Sequence, residues 1–112
     1  MADGQQKVPI VPAVALGLVE AALVDYVAGM SPIRFSPGDI ILCQGHASDC
    51  AYFIANGAVQ VYSETAYGAV PLATLPAPRL IGEIGVLADL ARTASVKAAS
   101  VVEAYTLSKE QL

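Results

Sequence analysis

The part of the sequence with the most chemical content lies between Leu80 and Val96. A helical patch over residues 83–90 interrupts a run of strand-like segments, and it opens at Gly82. A helix start leaves backbone N–H groups unpaired and presents the positive end of the dipole, so it attracts anions. Arg92, nine positions after Glu83, can return a guanidinium to the same place. The pattern predicts an anion pocket built by local geometry. Glu83 would repel a bare phosphate, but it can accept hydrogen bonds from hydroxyls on the same ligand. A sugar phosphate meets both demands. Taken alone, Gly-Glu with a downstream arginine also describes a helix end with a surface ion pair, so the flanking sequence has to decide.

Other chemistry is less well supported. His46, Ser48 and Asp49 share one short loop, and residues so close in sequence rarely reach the geometry of a nucleophile and its base. With a single histidine, the His-rich metal site of a cupin-like roll is excluded. Cys43 and Cys50 form no CxxC pair. A disulfide is open to them by number, but a core able to fold unaided favours free thiols in a reducing compartment. Tyr52, Tyr62, Tyr67 and Tyr105 are scattered over several strands and suit core or rim packing better than a stacking platform.

The elements that must position Gly82, Glu83 and Arg92 follow from periodicity. Leu16, Val19, Leu23, Tyr26, Val27 and Met30 recur at helical spacings, with Pro12 suited to the first turn and Gly29 to the C-terminal end, which predicts one amphipathic helix. Turn residues 36–39 then lead to a strand over 40–43, and residues 45–49 form a polar loop. Strands over 51–55 and 58–62 flank Asn56-Gly57, a strong two-residue hairpin signal. Further strands are expected over 69–75, 94–99 and 101–107. The fold class is mostly β, an antiparallel barrel or jelly roll with an N-terminal helix and a short helix at residues 83–90.

Composition limits the partners. The chain has 112 residues, 55% hydrophobic and 14% charged, enough for one buried core. Its net charge of −4 has the wrong sign for a direct nucleic-acid partner. The apolar stretch over residues 8–19 is broken by Pro9, Pro12 and Gly17 and falls short of a membrane span of ~20 residues. Asp3 offsets Lys7, so no positive signal-peptide start is present and a cytoplasmic location is the default.

Residues 33–107 resemble the cyclic nucleotide-binding domain family, the β-roll modules of catabolite activator proteins, cyclic-nucleotide-dependent kinases and nucleotide-gated channels. The resemblance rests on Ile81-Gly82-Glu83 and Ala91-Arg92-Thr93-Ala94, which match the phosphate-binding cassette at the spacing of the kinase and channel members. Phe35-Ser36-Pro37-Gly38-Asp39, Gln44-Gly45, Asp49 and residues 52–59 match upstream, in order. Ala91 stands where the family pattern has proline. The resemblance implies an antiparallel β roll whose ligand is cyclic AMP or cyclic GMP, with no cofactor and no metal. Its binding set would be Gly82, Glu83, Ile84, Arg92, Thr93 and Ala94, with Arg92 on the cyclic phosphate and Glu83 on the ribose 2′-hydroxyl. In the family a hydroxyl at the position of Thr93 can reach guanine, yet many bacterial members with such a residue prefer cyclic AMP, and the reading leans to cyclic AMP.

The resulting organisation is a helical segment over 1–31, the nucleotide-binding roll over 32–108 and the start of a C-terminal helix at 109–112. Ser108 and Gln111 form a capping-box pattern just before the chain stops. The expectation is a fragment or truncated regulatory module, without enzymatic chemistry, that passes a conformational signal to an effector domain or protein outside this chain. The rival is a structural or protein-interaction β roll that keeps the cassette sequence without binding nucleotide.

Overall fold

The computed structural model describes residues 13–112. Helix α1 covers Ala13–Tyr26, and eight strands follow: β1 Ile33–Phe35, β2 Ile40–Leu42, β3 Ala51–Asn56, β4 Ala58–Thr65, β5 Gly68–Pro76, β6 Arg79–Ile81, β7 Ser95–Ala98 and β8 Val102–Leu107. Helix α2, Glu83–Ala88, lies between β6 and β7, and a single 3₁₀ turn, Lys109–Gln111, follows β8. The strands form two antiparallel four-stranded sheets, in the orders β1-β8-β3-β6 and β2-β7-β4-β5. This is the mostly β, antiparallel roll that the sequence predicts.

The core lies between the sheets. Ile41 and Leu42 from β2, Val59 from β4 and Val96 and Ala98 from β7 meet Ile54, Ile81, Val102 and Ala104 from the first sheet. The first sheet also buries its outer face, because Ala51, Phe53 and Leu107 pack there with Val27 and with Val86 of α2. That double burial explains why β3 reads as an almost continuous apolar run rather than an alternation.

The Asn56-Gly57 expectation is corrected. β3 and β4 share no ladder, since β3 pairs with β6 and β8 while β4 pairs with β5 and β7. Gly57 has φ +93°, as a hairpin turn would require, but it serves the corner where the chain leaves one sheet for the other. A Cβ at this position would overlap the Val101 carbonyl oxygen. Gly57 takes the positive φ that the signal offers, Asn56 stays in strand conformation, and long-range packing sets the pairing partner. The two-residue hairpin instead joins β4 to β5, where Thr65 faces Gly68.

Helix α1 ends at Tyr26, before Gly29, and the apolar residues of its described last turns are not all buried. Leu23 packs on the outer cluster and Val27 is buried, while Val24 and Tyr26 are about half exposed. Pro12 and the side chains of Leu16 and Val19 lie outside the described residues. One polar contact links α1 to the region of interest: a Glu20 carboxylate oxygen accepts the Leu80 N–H of edge strand β6 at 3.1 Å. This satisfies an edge N–H that would otherwise be open to another strand. At the other end, the Ser108 N–H donates to the Gln111 side chain at 2.8 Å, forming the glutamine half of the expected capping box.

Candidate functional site

β6 delivers the chain to Gly82, whose φ of +78° turns it into α2. The helix is six residues long and is anchored by one buried side chain, Val86. It ends at Asp89 in a left-handed conformation, with the Leu90 N–H bonded to the Gly85 carbonyl at 2.9 Å. The return segment is fixed by Arg92. Its N–H donates to the His46 carbonyl at 2.9 Å and its own carbonyl accepts the Gly45 N–H at 2.8 Å. The side chain then reaches across the segment: Nη1 donates to the Gly82 carbonyl at 3.0 Å and Nη2 to the Cys50 carbonyl. The guanidinium lies so close to Gly82 that a Cβ there would sit 2.7 Å from Nη1. Gly82 is therefore favoured twice, by its backbone angle and by the close approach of its charged neighbour. Two of the five guanidinium N–H donors are used in this way.

These residues border a cavity of about 350 Å³. Gly82, Glu83, Ile84, Arg92, Thr93 and Ala94, all six expected from the sequence, are among its lining residues. Aliphatic side chains of Leu42, Val61, Leu75, Leu80 and Val96 are among the other lining residues, with Ile81, Gly85, Leu90 and Ala91 of the cassette and its approach. Glu83 and Arg92 share the cavity without forming an ion pair, and the ion pair among the described residues is the exposed cross-strand Arg34–Glu103 contact at 3.3 Å. The surface-pair reading of Glu83 and Arg92 therefore does not describe this structure. The site has a permanent cation whose donors are partly free, a carboxylate beside it, and an aliphatic enclosure.

The loop between β2 and β3 carries contacts that sequence reasoning missed. Besides the carbonyls of His46 and Cys50, the Ser48 hydroxyl donates to the Leu90 carbonyl and braces the end of α2. Gly85 permits this approach, because a Cβ there would collide with Ser48. The acceptors are mostly backbone carbonyls, which residue type does not reveal. Gly85, a glycine inside a helical pattern, was the one available signal. Tyr52 lies behind Arg92 in a smaller pocket of about 140 Å³ that Cys43, His46 and Cys50 also line. Burial and the neighbouring Cys50 raise the Tyr52 hydroxyl above its usual range, opposed by Arg92. It therefore stays neutral near pH 7 and does not compete as an anion for the guanidinium. Both cysteines are free thiols. Among the described residues no group of three His, Cys, Asp or Glu side chains could hold a metal, and no helix is long and apolar enough to cross a membrane.

Comparison with known proteins gives one result throughout. The cyclic nucleotide-binding domain profile matches residues 32–112. A cAMP-dependent protein kinase regulatory subunit from Yarrowia lipolytica is 34% identical over 74 residues, covering 66% of this chain and 19% of the relative. The cGMP-dependent protein kinase 2 of Mus musculus is 30% identical over 86 residues, covering 77% of this chain and 11% of the relative. The chain thus spans about a fifth and about a ninth of the lengths of these two proteins. Among solved structures, the EAL enzyme Bd1971 in its cAMP-bound form superposes with a TM-score of 0.69 at 31% identity, over 72% of this chain and 22% of that one. The cGMP-bound form of the same enzyme superposes equally well.

Proposed function

The chain belongs to the cyclic nucleotide-binding domain family, and on that premise we propose that its cavity holds a 3′,5′-cyclic nucleotide with the phosphate on Arg92 and the ribose on Glu83. The observation that carries the reading is the Arg92 guanidinium, oriented by two carbonyl acceptors and facing a cavity that Glu83 also lines. An arginine oriented in this way offers charge-assisted hydrogen bonds to phosphate oxygens without first losing its own conformational freedom. Glu83 makes no competing ion pair and can accept the 2′-hydroxyl. Gly82, Ile84, Thr93 and Ala94 complete the cassette wall. The related EAL enzyme is described in both cAMP-bound and cGMP-bound forms, and cyclic AMP is the first ligand to test here.

The function is binding and relay rather than chemistry on the ligand. α2 is held in the core by Val86 alone, and Ile84, Leu87 and Leu90 are 69%, 53% and 53% exposed. A nucleotide that bridges Arg92 and Glu83 draws the cassette inward. The signal passed to an attached or partner domain is as large as the difference in ligand affinity between the two cassette positions. Calorimetry with cyclic AMP, cyclic GMP and the corresponding linear 5′-monophosphates tests the proposal. Cyclic nucleotides should bind and the linear ones should bind at least tenfold more weakly. A folded chain that binds neither cyclic nucleotide would leave the rival reading, a structural or interaction roll, in its place.

A further inference from the structure

Resting on the reading of the cavity as a cyclic nucleotide site, we infer that Ser48 is a positioning residue for that site: its hydroxyl holds the tip of the cassette in the place from which the cassette binds nucleotide. Ser48 is not among the residues that line the cavity, and it acts through two that are, Gly85 and Leu90. Helix α2 has six residues, well below the length of about 12 at which a helix begins to stand alone, and its buried side chain is Val86. Past Val86 the chain carries Leu87 and Leu90, each 53% exposed, and turns at Asp89 in the left-handed conformation. Burial therefore contributes little to fixing this tip, and polar contacts have to do it.

Leu90 is gripped from two sides. Its N–H donates to the Gly85 carbonyl at 2.9 Å within the cassette, and its carbonyl accepts the Ser48 hydroxyl from the loop between β2 and β3. The same loop holds Arg92 through backbone groups of Gly45, His46 and Cys50, which do not depend on a side chain of the loop. The Ser48 contact does depend on residue type. The fit around it is specific as well, since a Cβ on Gly85 would overlap Ser48 Oγ and stand 3.0 Å from Ser48 Cβ. With its hydrogen given to Leu90, this hydroxyl is not set up as a nucleophile, and its work is to hold the tip. When the tip is released, the cassette spends part of its time away from the cavity, and apparent affinity falls by the fraction that stays in place.

The test is isothermal titration of cyclic AMP and cyclic GMP into the parent chain, Ser48→Ala, Gly85→Ala and the double variant, with a thermal melt of each by circular dichroism. At a temperature where it is fully folded, Ser48→Ala should bind about threefold to tenfold more weakly, the size of one neutral hydrogen bond. Gly85→Ala should do the same, because its Cβ evicts the hydroxyl, although alanine favours the helix. Both changes break one contact, so the double variant should match the weaker single variant within about twofold. A brace that served the fold alone would lower the melting temperature of Ser48→Ala and leave the affinity of the folded chain at the parent's value, and that result would overturn the inference. Losses that multiply in the double variant would overturn it too, by showing that the two residues act separately. Both outcomes leave the cyclic nucleotide site in place. A folded parent chain that binds neither nucleotide would overturn the site assignment, and the inference with it.

Discussion

The two ends of the roll are built differently. At one end the chain crosses between sheets at residues 36–39, 56–58, 77–78 and 99–101, and these crossings are tied together mainly by backbone: Gly38 N–H to Ala98, Ala98 N–H to Asp39, Ala77 N–H to Gly57 and Ala99 N–H to Ala58. At the other end backbone pairs also fix the return segment, Arg92 N–H to His46 and Gly45 N–H to Arg92, but side chains join the cassette's two arms and brace its tip, with Arg92 reaching Gly82 and Cys50, and Ser48 reaching Leu90. Each end has a glycine at positive φ with no room for a Cβ. The Val101 backbone fills the space at Gly57, and the tip of a flexible, charged side chain fills it at Gly82. Backbone-to-backbone closure gives a fixed end. A side-chain strut gives an end that can exchange its partners for those of a ligand.

Substitutions at the two glycines should separate these roles. Gly57→Val forces a β-branched residue to φ +93° against a backbone carbonyl, and the expected cost is about 3 kcal/mol or more. Urea denaturation should show a chain that is largely unfolded or has lost most of its transition midpoint, and a stability within about 1 kcal/mol of the parent would mean that the crossing end is not rigid. On the cassette side, removing the ligand's 2′-hydroxyl should leave Glu83 unpaired and weaken binding by ~1–3 kcal/mol. Calorimetry with cyclic AMP and its 2′-deoxy analogue checks this, and Glu83→Ala should erase the difference. Gly82→Ala is expected to have the smallest effect on the fold, about 1–2 kcal/mol for a left-handed alanine, because Arg92 can swing away. Its clearer mark should be a loss of nucleotide affinity of about tenfold. If melting temperature and affinity fall at Gly82 as steeply as the fold fails at Gly57, the two ends do not differ in kind.

The contrast also shows what was legible in the sequence. The cassette could be read because its spacing is local: Gly82, Glu83 and Arg92 fall within one loop-helix-return unit, and the structure brings all six expected residues to one cavity. The Asn56-Gly57 signal does not distinguish a hairpin from this corner, because it is the same whether the next strand folds back beside the last one or crosses to the other sheet. Strands β1 and β6 have three residues each, too short for alternation to register. The braces from His46, Ser48 and Cys50 depend mainly on backbone atoms brought together over 42 or more positions. The aliphatic wall of Val61, Leu75 and Val96 could be read as strand but not as cavity, because which face stays uncovered is decided by the roll as a whole.

The central claim is that the Arg92 guanidinium, oriented by Gly82 and Cys50, is the anchor of a cyclic nucleotide. Isothermal titration of cyclic AMP into the parent chain and into Arg92→Gln, with circular dichroism of both, tests it most directly. Loss of a charge-assisted contact to a partly desolvated phosphate is worth roughly 2–4 kcal/mol, so the variant should remain folded and bind about 30-fold to 1000-fold more weakly. Equal affinity in a folded Arg92→Gln chain would contradict the account.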